Sequence, residues 1–134
     1  MNHLIAQRGV SARVTTDSAG TASYHIGSSP DRRMNAAAQR QGITLTGSAR
    51  QFTAADFDKF DLILAMDKSN YQDILSLDTD KQYAHKVKLM CEYCKTYCDT
   101  EVPDPYYGGE AGFDYVIALL TDACEHLLDS ILLR

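Results

Sequence analysis

Three features of the sequence predict an α/β fold, with a mainly parallel sheet between layers of helix. Strand-type and helix-type segments alternate along the whole chain, which calls for crossover connections. Residues 61–66 (DLILAM) form a short, nearly continuous apolar run of the kind found in strands buried on both faces. Near the end, Phe113, Val116, Ile117, Leu120, Cys124, Leu127, Leu128 and Ile131 recur at spacings of three and four, the stripe of a long amphipathic helix.

The elements follow in order. Residues 2–8 (NHLIAQR) end at Gly9, a good residue just past a helix end, and resemble the last turns of a helix. Residues 13–17 (RVTTD) are rich in β-branched side chains and stop at Ser18-Ala19-Gly20, which predicts a strand followed by a turn. Ser29-Pro30-Asp31 combines a capping hydroxyl, proline and acid, and opens a helix that runs through Arg40 and closes at Gly42. Thr53 with Asp56 three residues on is a capping-box-like start to a short helix through Lys59. After the strand at 61–66, Asp67 or Ser69 can cap a helix carrying Tyr71, Ile74, Leu75 and Leu77. Residues 86–90 (KVKLM) read as the next strand, 101–112 as a loop, and the stripe from Phe113 as the final helix. In a sheet of this kind ligands bind beyond the carboxyl ends of the strands, here 18–20, 66–69 and the loop leading to Asp104.

The 134 residues suit one domain, 1–134, large enough to bury roughly two-thirds of its unfolded surface. A content of 45% hydrophobic and 23% charged residues excludes a disordered chain. The longest uninterrupted apolar run, Tyr115 to Leu120, is six residues, too short to cross a membrane. The first ten residues lack the continuous apolar stretch of a secretory signal. A net charge of −5 argues against a nucleic-acid partner. The expectation is a mildly acidic cytoplasmic domain with reduced thiols, without membrane or nucleic-acid partners.

The most unusual stretch is Val102-Pro103-Asp104-Pro105-Tyr106-Tyr107-Gly108-Gly109. Two prolines flank the acid and bias the residues before them to extended geometry, so Asp104 is held as a general acid must be. The adjacent tyrosines offer aromatic surface beside it; the alternative is a proline-rich turn whose rings pack on the last helix.

Asp104-Pro105-Tyr106-Tyr107, Asp17-Ser18-Ala19-Gly20-Thr21, Ser48-Ala49-Arg50-Gln51, and Met66-Asp67 with Ser69-Asn70 occur together in one chain. In that combination the sequence resembles the low-molecular-weight protein tyrosine phosphatases, from residue 4 to residue 132. The resemblance implies a four-stranded parallel sheet in the order 2-1-3-4, flanked by helices, and hydrolysis of phosphotyrosine proteins or small aryl phosphates without a cofactor or metal. It implies that Asp104 protonates the leaving phenolate. A phenol pKa near ~10 makes a donated proton useful at neutral pH. It further implies that Tyr24 with Tyr106 or Tyr107 flanks the substrate ring, that Ser18 supports the phosphate loop from behind, and that Asp67 stands where another supporting group sits.

One part of the family pattern is not in these residues. The family's nucleophile is a cysteine with an arginine six positions later, in a loop whose amides cradle the phosphate at a helix start. Six residues after Cys91, Cys94, Cys98 and Cys124 stand Tyr97, Thr100, Asp104 and Ser130. Residues 2–9 match the tail of the family's first helix, so the first strand and the phosphate loop are expected to be missing. The chain as given is then expected to be inactive, although its parent is a phosphatase. Two other classes remain open. A catalytically dead phosphatase-like module could use Tyr24, Asp104, Tyr106 and Tyr107 for binding. Alternatively, Cys91-x2-Cys94-x3-Cys98, completed by Cys124, His85 or His126, could hold zinc, or Cys91 and Cys94 could form a redox pair.

Overall fold

The structure, a computed structural model, describes residues 1–21, 32–45, 50–104 and 109–133. In chain order the elements are α1 (Asn2–Arg8), α2 (Arg32–Arg40), α3 (Asp56–Lys59), β1 (Ile63–Ala65), α4 (Lys68–Ser76), β2 (Val87–Leu89) and α5 (Gly109–Leu132). Single 3-10 turns at Ala84–Lys86 and Met90–Tyr93 bracket β2.

β1 and β2 pair in parallel, with Ile63 opposite Val87, Leu64 opposite Lys88 and Ala65 opposite Leu89. The period of two along a strand sends alternate side chains to opposite faces. Ile63 and Ala65 pack with Phe57, Ile74 and Val87, in the layer of α3 and α4. Leu62 and Leu64 pack with Met90, Ala123 and Leu127, in the layer of α5. Because both faces of β1 are covered, its sequence needs no polar residue, which accounts for the unbroken run at 62–66. This is the expected three-layer α/β arrangement.

The apolar stripe of α5 continues beyond the sheet. Phe113 and Ile117 meet Ala37 and Ala38 of α2. Leu128, one turn after Cys124, meets Ile5 of α1 and Val14. Phe57, 1% exposed, anchors the other face, with Tyr83 stacked on it at 5.2 Å and Phe52 edge-on at 5.3 Å. Lys86 donates to the carbonyls of Phe57 and Phe60, placing a cation at the end of α3.

Three boundaries differ from the sequence reading. Residues 13–17 do not form a strand. The amides of Arg13 and Val14 both donate to the carbonyl of Val10, so the chain turns there, and Val14 buries its side chain against α1 and α5. β-branched residues favour a strand only where a neighbouring strand offers partners, and among the described residues the only pairing nearby is an isolated bridge between Gly20 and Gln51. Helix α5 starts at Gly109 rather than Phe113, so part of the expected loop is helical. Both strands are trimmed to three residues. The Ser29-Pro30-Asp31 helix start lies outside the described residues; α2 ends as expected, with Gly42 at a φ of 76°.

Carboxylates hold the loops that the short strands leave without ladder partners. Asp67 is the N-cap of α4 and accepts the Asn70 amide at 2.7 Å. Asp56 accepts the Thr53 amide at 2.9 Å, the half of the capping box that the acid supplies. Asp122 of α5 accepts the successive amides of Lys95, Thr96 and Tyr97 at 3.1, 3.0 and 3.2 Å, with the His126 ring 3.0 Å away. Burial alone would raise the Asp122 pKa, but the Tyr97, Thr96 and Lys95 amides together outweigh it and hold the carboxyl below its ordinary 3.8.

Asp122→Ala is expected to cost about 2 kcal/mol in urea denaturation, the scale of hydrogen bonds to a charged acceptor whose amides can then reach water. Because the folded pKa of Asp122 is depressed, its contribution is complete above the unfolded value and lost as pH falls through the folded one. The difference between wild type and D122A should therefore shrink below about pH 4; a difference that stays constant down to pH 2 would remove the carboxylate from this role.

Candidate functional site

The loops that follow β1 and β2 and the segment 17–21 are tied to one another by specific hydrogen bonds. β1 ends at Ala65, and the next carbonyl, Met66, accepts the Val102 amide at 2.8 Å. The Lys68 amide donates to Glu101 Oε1 at 2.9 Å. Asn70 Nδ2 reaches Thr21 Oγ1 at 3.4 Å, and across the bridge to 50–52 the Gly20 amide donates to the Arg50 carbonyl while the Gly20 carbonyl accepts the Phe52 amide. Segments 17–21, 66–70 and 101–104 therefore form one rim. The sequence reading gave the same three segments as ligand-facing loops, far apart in the chain.

An ion-pair chain orders the first of these segments. The Arg50 guanidinium makes a two-pronged contact with Asp56, Nη1 to Oδ2 at 3.0 Å and Nη2 to Oδ1 at 3.2 Å. Its Nε reaches Asp17 Oδ2 at 3.0 Å, and the other Asp17 oxygen accepts the Ser18 amide at 2.8 Å. The side chain of Asp56 is 3% exposed. Burial would push its pKa up, and the hydrogen bonds from Arg50 and the Thr53 amide reverse that, leaving it lowered. Arg50 moves in the complementary direction, raised first of all by its hydrogen bond to Asp56. The planar fork of arginine suits this geometry; a lysine would satisfy one oxygen at a time.

Of the residues named from sequence, Ser18 is exposed beside Asp17, Asp67 is half-buried as the cap of α4, and Asp104 is exposed at the end of 101–104. Their segments come together on the rim. Tyr24, Tyr106 and Tyr107 lie outside the described residues. Arg50 and Glu101 were not assigned roles from sequence, and Asp56 only that of a helix-capping acid, although Arg50 lies in one of the strings that carried the resemblance. The signal available was a lone arginine near two acids, Asp17 and Asp56, with no spacing rule to pair them. An open cleft of about 500 Å³ lies along the bridge, lined by Thr21, Gln51, Phe52, Thr53, Asp73 and Leu77 among others. Its lining includes none of Ser18, Asp67 or Asp104.

Among the described residues, no group of three or more histidine, cysteine or acidic side chains is placed to hold a metal ion. Cys91 is buried and Cys94 half-buried, Cys98 is exposed, and Cys124 is half-buried on α5. The ring of His126 is engaged with Asp122 of its own helix. The zinc arrangement considered from sequence is therefore not assembled by the described residues. No helix among them is long and apolar enough to cross a membrane.

Residues 1–133 match the family described as low molecular weight phosphotyrosine protein phosphatase. A relative from Synechocystis sp., slr0328, assigned by name to the low molecular weight protein-tyrosine-phosphatases, is 56% identical over 131 residues, covering 98% of this chain and 83% of its own. The low molecular weight protein-tyrosine-phosphatase YfkJ of Bacillus subtilis is 37% identical, over 96% of this chain and 81% of its own. Among solved structures, a protein tyrosine phosphatase from Entamoeba histolytica with Hepes in its active site superposes with a TM-score of 0.89 at 41% identity. That match covers 97% of this chain and 83% of the other.

Removing the guanidinium in Arg50→Ala leaves a buried carboxylate without its cation, a change that costs about 3 kcal/mol where the pair is well buried and less where water reaches the arginine. A loss of about 2 kcal/mol in chemical denaturation is expected for R50A, with R50K intermediate because it keeps the charge and loses the fork. Equal stability of wild type and R50A would show that the pair does not hold the rim.

Proposed function

Because the chain belongs to the low molecular weight phosphotyrosine protein phosphatase family, we propose that the reaction its fold serves is hydrolysis of phosphotyrosine through a cysteinyl-phosphate, with Asp104 as general acid. The observation that carries this reading is the rim: the segment bearing Asp104 is hydrogen-bonded to the segments bearing Asp67 and, through Asn70 and Thr21, to the one following Ser18. Asp104 is exposed, as a group that meets substrate must be. The phenolate leaves with an electron pair that needs a proton at neutral pH, and a carboxylic acid in a proline-flanked loop can present one.

In the same reading Tyr24 and one of Tyr106 or Tyr107 flank the phenyl ring, since flat aromatic walls suit a flat ring and a phosphotyrosine side chain brings one. Ser18 supports the phosphate loop from behind, and Asp67 supports it from the start of α4. Asp67 already spends one oxygen on the Asn70 amide, which suits a positioning role better than proton transfer. Proteins bearing phosphotyrosine and small aryl phosphates are the substrates, and the enzyme acts as a cytoplasmic protein without a cofactor.

The nucleophile is not among these 134 residues, since no cysteine is followed six positions later by arginine. The chain as it stands is proposed to be inactive, because neither the covalent step nor the amide cradle for the phosphate can form without that segment. A binding role without catalysis has weaker support, because the same cradle supplies most of the attraction for a phosphate dianion.

Two measurements test this. The 134-residue chain should release no p-nitrophenol from p-nitrophenyl phosphate above a heat-denatured control; turnover that survives purification and is abolished by a cysteine-to-serine change at 91, 94, 98 or 124 would overturn the assignment of the nucleophile. In a version carrying a Cys-x5-Arg segment ahead of residue 1, Asp104→Ala should slow phenyl phosphate hydrolysis by about 100-fold or more, and slow substrates with acidic leaving groups much less. Equal slowing of both would remove Asp104 from the acid role.

A further inference from the structure

The cysteines are the chemistry-bearing residues that this reading leaves unused. Cys91 lies in the 3-10 turn Met90–Tyr93 immediately after β2, and Cys94 is the residue that ends the turn. The Cys94 amide donates to the Cys91 carbonyl at 3.2 Å, closing an i to i+3 turn. Such a turn rises about 2 Å per residue and eclipses the side chains at its two ends, which puts the Cα atoms about 6 Å apart with the thiols on one face. Disulfides span Cα separations of about 4.4–6.8 Å. The Cys94 thiol points toward α5, where it lies 3.9 Å from the Leu119 carbonyl. Cys98 is exposed farther along, and Cys124 sits on α5 beside the chain's amino group.

We propose that Cys91 and Cys94 form a reversible dithiol–disulfide site, oxidised by exchange with a small aliphatic disulfide such as oxidised glutathione. The half-buried Cys94 thiolate attacks one sulfur of the small disulfide, breaking its S–S bond and releasing one thiol, which takes up a proton. The Cys91 thiolate then attacks the Cys94 sulfur and releases the second small thiol with its proton. One S–S bond is broken and one formed, and the two electrons from the cysteine pair reduce the small disulfide to two thiols. The product needs no strand or helix to move, because the turn already sets the Cα separation within the range a disulfide spans.

Burial keeps both thiols protonated: it raises Cys91, and raises Cys94 to about 12 with the neighbouring Cys91 adding to the effect. Since the thiolate is the attacking species, exchange should be slow at pH 7 and speed up through pH 9. The site has a structural consequence for the rim. The turn begins the segment that Asp122 fastens at 95–97 and that continues to Asp104, so oxidation adds a covalent staple at the root of that segment.

The sequence makes the site readable by peptide mass. Trypsin cuts after Lys88 and Lys95, and the peptide 89–95 (LMCEYCK) contains Cys91 and Cys94 alone, while Cys98 and Cys124 fall together on the next peptide. The full chain is incubated in glutathione buffers of increasing oxidation at pH 7 and pH 9, alkylated and digested. The expected result is a peptide 89–95 lighter than its reduced form by two hydrogens, unalkylated and restored by dithiothreitol, appearing faster at pH 9. In Cys98→Ser the same peptide should form to the same extent, and in Cys94→Ser it should not form. Alkylation of both cysteines of peptide 89–95 under fully oxidising buffer would overturn the proposal. So would linkage of Cys91 or Cys94 to Cys98, to Cys124 or to a second chain in place of the internal bond, or a stable glutathione adduct on Cys94.

Discussion

The parallel pairing of β1 with β2 is the constraint on which the rest of this structure depends. A strand with apolar side chains on both faces is stable only if both faces are covered, so the pair needs α3 and α4 on one side and α5 on the other. Parallel strands also point their carboxyl ends the same way. The chain leaving β1 and the chain leaving β2 therefore emerge side by side, and Met66 and Val102, distant in sequence, come within one hydrogen bond. The sheet contributes little hydrogen bonding of its own with three-residue strands. Its contribution to function is direction.

Short strands leave many backbone groups to be satisfied in other ways, and the acidic composition answers that need. Asp56, Asp67, Asp78, Glu92, Glu101 and Asp122 each accept at least one main-chain amide. Asp78, 7% exposed, takes two amides, from Gln82 and Tyr83, and so fixes the approach to β2. Each carboxylate does for a loop what a ladder bond does for a strand, with the added strength of an ionised acceptor. Among the described residues no buried side-chain nitrogen or oxygen lacks a partner. A net charge of −5 thus reflects, in part, how the loops are held.

Much of this was legible in the sequence, and the exceptions have a common cause. The buried strand at 61–66 and the long final helix were visible because their signals are local: an unbroken apolar run, and a stripe at spacings of three and four. Asp67 as a cap was visible for the same reason, because its partner is three residues away. The segment 13–17 failed because β-branched side chains register a preference, while a strand requires a partner that no local pattern reports. Its Val14 is still core, only in the cluster with Ile5 and Leu128 rather than in a sheet. The Arg50 chain was invisible because it joins residues 17, 50 and 56 through side chains whose spacing follows no helix or strand period. Residues at the rim could be named by resemblance; what orders them required coordinates.

The division of labour among the carboxylates bears on the proposed chemistry. A carboxylate that accepts several amides is stabilised as an anion and makes a poor proton donor, which describes Asp122 and, through its arginine, Asp56. Asp67 is committed to the start of α4. Such groups hold loops, and their lowered or committed state keeps them out of proton transfer. A general acid must meet solvent and substrate, and Asp104 is exposed at the end of a segment secured upstream at Glu101 and Val102. The rim therefore carries carboxylates that fix backbone and, at its open end, the exposed Asp104, the residue to which the proposed reaction assigns proton donation.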